Sequence, residues 1–148
     1  GVAAASAAVQ SALSAGGLHP SKVASLAQEA WRGAGANGTT VAPCIAATAV
    51  LKRLARQHHS VPEHLAQAAE AISADAPAAK KQVASILAKA VAESAARRGG
   101  REDEVAHNVL KSLRDAHVGL PEEKIKGMTA MAASTAVAKA AVQQGQEP

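Results

Sequence analysis

Methyl groups fill most of the apolar positions in this chain: alanine supplies 40 of its 148 residues, and Phe and Tyr are absent. A β-sheet draws its cohesion from β-branched and aromatic side chains, whereas alanine is the strongest helix former. The sequence therefore disfavours sandwiches, barrels and doubly wound sheets, and points to an all-α, Ala-rich bundle. Disorder is disfavoured too, because 48% hydrophobic residues against 19% charged is too apolar for an unfolded chain.

Glycine and proline divide the chain into about seven helices within one domain over 1–148. A first helix is expected over about 3–15, with Val9 and Leu13 on one face, ended by Gly16-Gly17-Leu18-His19. Pro20 opens a second, whose stripe of Val23, Leu26, Ala27 and Ala30 runs to about Arg32. The glycine-rich stretch from Gly33 to Gly38 breaks the chain. Thr39 or Thr40 caps a third helix to about Gln57, carrying Cys44, Ala47, Leu51 and Leu54. His58-His59-Ser60-Val61 forms a turn, and Pro62 opens a fourth helix to about Ser73. Asp75-Ala76-Pro77 starts a fifth, to about Arg98, with Val83, Ile86, Leu87 and Val91 facing inward. The sixth spans Arg101 to Ala116, with Glu102, Asp103 and Glu104 in the first turn, where the helix dipole favours acids. After the His117-Val118-Gly119-Leu120 turn, Pro121-Glu122-Glu123 opens a seventh helix to about Gln144, and 143–148 reads as a linker-like tail.

The most specific feature is internal similarity. At an offset of 59 residues Val50-Leu51-Lys52 meets Val109-Leu110-Lys111, Leu54 meets Leu113, His58 meets His117, and Pro62-Glu63 meets Pro121-Glu122. At an offset of 60, Val23-Ala24-Ser25-Leu26 meets Val83-Ala84-Ser85-Ile86. Helices two to four thus resemble five to seven. The expected architecture is a pseudo-twofold pair of three-helix repeats, over about 20–78 and 79–138, with alanine at the contacts drawing helix axes together.

Other bounds follow from charge and from the ends. The formal charge is +4 with neutral histidines, and the pI is near 9.5. A single cysteine makes no internal disulfide. The longest apolar run, Val41 to Leu51, is too short to span a membrane and contains Pro43. The first residues lack the basic region and apolar core of a signal peptide. A soluble protein is expected, and the start without Met suggests an excerpt or a processed product.

Histidines stand at the turns. His58, His59 and His64 surround one proline turn, His117 holds the matching place in the second repeat, and His107 precedes it. The plain account is that a histidine at a helix C-terminus complements the dipole; the functional account is a pH-sensing set that alters packing as it protonates. No metal site is expected, since His58, His59 and His64 do not share the i, i+4 face of helical ligands and nothing completes them.

Basic residues cluster at Lys52, Arg53 and Arg56, at Lys80-Lys81, and at Arg97-Arg98 with Arg101. Without aromatics for base stacking, and with acids interrupting the densest cluster, these read as a solvated face and not as a nucleic-acid interface. Cys44 lies near a helix start, where a thiolate is favoured, yet its apolar neighbours suit a small buried hydrophobe. The Gly33–Gly38 loop lacks the strand and the Lys-Ser/Thr of a phosphate cradle. No nucleophile–base pair and no paired carboxylates stand out, so an enzyme is not expected and no catalytic residues are assigned.

Two functions fit. The first is a non-catalytic carrier for an apolar small molecule, such as a tetrapyrrole- or luciferin-like chromophore. An aromatic-poor bundle leaves its centre thinly filled; Trp31, Cys44, Leu51, Leu54, Val83 and Leu87 would line the ligand, with histidine protonation promoting release. The second is an assembly module of a tandem array that associates with like repeats. The stretch Ser11-Ala12-Leu13-Ser14-Ala15-Gly16-Gly17-Leu18 is similar to the Ala/Ser-rich helical repeat domains of spider silk proteins, which implies an assembly role. The 16 Lys and Arg residues depart from the low charge of silk. Docking of an acidic partner is a third reading, resting on the net charge alone.

Overall fold

The computed structural model describes residue 7 and residues 41–56, 62–75 and 77–143. These contain five α-helices and no strand: α1 (Val41–Arg56), α2 (Pro62–Asp75), α3 (Lys80–Arg97), α4 (Glu102–Asp115) and α5 (Glu122–Gln143). They match the third to seventh helices expected from the sequence. The helices expected over 3–15 and 20–32, the Gly33–Gly38 break, the turn before Pro62 and the tail beyond Gln143 lie outside the described residues, as do Trp31, His58 and His59.

Local chemistry sets the boundaries. The fifth expected helix opens as a single 3-10 turn over Pro77–Ala79, and the α-helix proper begins at Lys80. Proline has no N–H to give, so it fits a first turn. At the other end of α3, Gly99 adopts φ +85°. Its N–H donates to the Ala96 carbonyl at 3.1 Å and that of Gly100 to the Ala95 carbonyl at 3.0 Å. That pair of bonds is a Schellman motif. In α4 the same left-handed place is held by His117 at φ 51°, whose N–H donates to the Arg114 carbonyl at 3.1 Å. Three acids fill the first turn of α4.

The central element is α3, which packs against α1, α2, α4 and α5; α2 also meets α1 and α4, and α4 meets α5. Among the described residues α1 reaches neither α4 nor α5. Leu51, Leu65, Ile72, Val83, Leu87, Val91, Val105, Val109 and Leu113 form the buried core. Between them lie Ala46, Ala47, Ala66, Ala69, Ala84, Ala88, Ala92 and Ala133, also buried. Small side chains at the crossings let the axes close up, so a few branched residues suffice to fill the interior. The Ser94 hydroxyl donates to the Ala55 carbonyl at 3.5 Å and ties α3 to α1. Two other buried hydroxyls, Ser112 and Thr129, have no hydrogen-bond partner among the described residues.

Candidate ligand-binding groove

Because α1 and α5 both lie against α3 without touching, a groove opens between them, with a volume of about 310 Å³. Helical periodicity assembles it. From α1 come Thr48, Lys52, Ala55 and Arg56; from α3, Ile86, Lys89, Ala90, Glu93 and Arg97; from α5, Ala136, Lys139, Ala140 and Gln143. Each set keeps to the i, i+3, i+4, i+7 family of positions, which is one face of a helix. Ala55, Ile86, Ala90, Ala136 and Ala140 are its apolar members.

The charges in this groove are unequal: Lys52, Arg56, Lys89, Arg97 and Lys139 surround a single carboxylate, Glu93. Lys139 Nζ pairs with Glu93 Oε1 at 3.2 Å and joins α5 to α3. Arg97 Nε donates to the Glu93 main-chain carbonyl at 3.4 Å. Lys52, Arg56 and Lys89 form no ion pair among the described residues. Cations grouped over an apolar surface raise the local positive potential and attract an anion that also carries apolar bulk.

The residues singled out from the sequence stand elsewhere. Leu51, Val83 and Leu87 are fully enclosed in the core, and Leu54 is partly buried against it. Cys44 is half-buried on α1, and burial pushes its thiol above the ordinary value of 9.0. Desolvation therefore outweighs any stabilisation of a thiolate near the helix start. None of these five lines the groove. Of the histidines described, His64 and His107 are exposed. His117 Nδ1 lies 3.2 Å from Glu70 Oε1, linking the end of α4 to α2. No hydrogen bond or ion pair joins one of these histidines to another among the described residues, and none lines the groove.

Sequence reasoning had noted Lys52, Arg56 and Arg97, but only as a solvated face. It passed over Lys89 and Lys139. A usable signal was present in the i, i+4 spacing of Lys52 with Arg56 and of Lys89, Glu93 and Arg97. What one helix cannot reveal is that three such stripes converge.

Among the described residues no group of three or more His, Cys, Asp or Glu side chains could hold a metal ion, and no helix is long and apolar enough to cross a membrane. Comparisons with protein-family models, curated proteins and solved structures return no match.

Proposed function

We propose that this protein is a non-catalytic binding protein whose α1–α3–α5 groove takes an apolar small molecule bearing an acidic group. The observation that carries the reading is the pairing of an alanine and isoleucine surface with five cations against one carboxylate. The volume of about 310 Å³ lies at the lower end of the range for ligand sites, roughly 300–1,000 Å³. It suits an acyl chain or one ring system with its carboxylate at the rim. A tetrapyrrole- or luciferin-like chromophore with a carboxylate substituent belongs to this class and would place one end in the groove.

The architecture that supports the groove is read as two three-helix blocks, over about 20–78 and 79–138. In favour of this reading, α1 ends at Arg56 and α4 at the equivalent Asp115, while α2 starts at Pro62 and α5 at Glu122, directly after the equivalent Pro121. Equivalent inward positions are buried in both blocks: Val50 with Val109, Ala46 with Val105, and Ala66 with Ile125.

Calorimetric titration with dodecanoate and with dodecanol tests the proposal. Dodecanoate should bind saturably and more tightly than the alcohol. Reversing Lys89 and Arg56 together (K89E/R56E) should weaken dodecanoate about tenfold while leaving dodecanol unchanged. Equal binding of the two ligands, or no saturable binding of either, would contradict it.

A further inference from the structure

The five cations of the groove fall into two groups. Glu93 engages two of them: Lys139 Nζ stands 3.2 Å from its Oε1, and Arg97 Nε donates to its main-chain carbonyl at 3.4 Å. Its carboxylate is therefore taken by α5. Lys52 and Arg56 of α1 and Lys89 of α3 have no carboxylate partner among the described residues. All three line the groove and are exposed.

These three cations come from two helices in contact. The Ser94 hydroxyl lies 3.5 Å from the Ala55 carbonyl, so Arg56, next to Ala55, and Glu93, next to Ser94, stand where α1 meets α3. Lys52 and Lys89 are each one turn back on their own helix, four residues before Arg56 and Glu93. A ligand carboxylate would bring a single negative charge to this set. A phosphate monoester carries about −1.5 to −2 at neutral pH and three strong acceptor oxygens, one for each of Lys52, Arg56 and Lys89. The planar guanidinium of Arg56 can also meet two of those oxygens at once.

We infer that the acidic group selected by the groove is a phosphate monoester at the end of an apolar chain. Lys52, Arg56 and Lys89 hold the headgroup, and the chain lies on Ile86, Ala90 and Ala136. Lys139, held by Glu93, serves as the tie between α5 and α3. The inference rests on the reading of the groove as a ligand site and adds to it the class of headgroup.

Calorimetric titration with dodecyl phosphate, dodecyl sulfate and dodecanoate, each below micelle formation, tests it. Dodecyl sulfate has the tetrahedral shape of the phosphate but only one charge. At about pH 7.5, above the second phosphate pKa of about 6, dodecyl phosphate should bind about tenfold more tightly than either monoanion. K52M, R56M and K89M should each narrow that preference, whereas K126M, outside the groove, should leave it unchanged. Inorganic phosphate should bind far more weakly than dodecyl phosphate, because it buries no chain. Dodecanoate binding as tightly as dodecyl phosphate would overturn the phosphate headgroup and leave the groove reading standing. A phosphate preference that survives all three substitutions would overturn its assignment to these residues. Inorganic phosphate binding as tightly as dodecyl phosphate would overturn the apolar chain. Absence of binding by every ligand would overturn the groove reading and this inference with it.

Discussion

Lys111 and Glu63 show how much a single exposed contact reports. The ammonium donates to the carboxylate at 3.2 Å and holds the Glu63 carboxyl below its ordinary 4.5. A carboxyl depressed on folding adds stability above its unfolded value and loses it as pH falls through the folded one. Lys111→Met should therefore lower the melting temperature at neutral pH, and the gap to wild type should close in acid. Thermal unfolding of both proteins across that range checks this; a gap that persists in acid would mean Lys111 acts through packing. Lys124 behaves with the opposite sign. Its ammonium lies beside that of Lys81, which pushes it below 10.5, so the pair opposes folding while both are charged. None of this was legible in the sequence, which has Lys111 and Glu63 on separate helices and offers no distance between them.

Helices are the scale at which the sequence was most legible. Proline fixes φ and glycine opens the left-handed region, so each turn advertises itself locally. Gly99 is the clearest case: at φ +85° it closes α3, and a Cβ there would meet nothing within 4 Å. Gly99→Ala should thus cost about 1 kcal/mol through backbone conformation alone, read as a fall in melting temperature with no change in ligand binding. No fall would mean the turn re-forms without a left-handed residue. His117 was less legible. It was expected as one of a pH-sensing set, and nothing in the sequence signalled that it also occupies the left-handed position at the end of α4 and touches Glu70.

At the scale of the whole molecule, alanine explains both what was foreseen and what was not. The missing aromatics left two readings open, a thin, tightly drawn core or a centre that something else fills. Among the described residues the buried alanines on α1, α2, α3 and α5 leave Leu51, Ile72, Leu87, Val109 and Leu113 to fill the interior, with 0% of each exposed. The space is found where two helices lean on a third without meeting. A stripe of lysines on one helix carries no information about its distance from a stripe on another, which is why the core was legible from periodicity and the groove was not. The central claim is that a ligand enters this groove and leaves the core closed. Methyl NMR during titration with dodecanoate tests it most directly. The account predicts shifts at the methyl groups of Ala55, Ile86, Ala90, Ala136 and Ala140, with Leu51, Val83 and Leu87 unmoved. Shifts centred on Leu51, Val83 and Leu87, with the groove alanines unmoved, would contradict it.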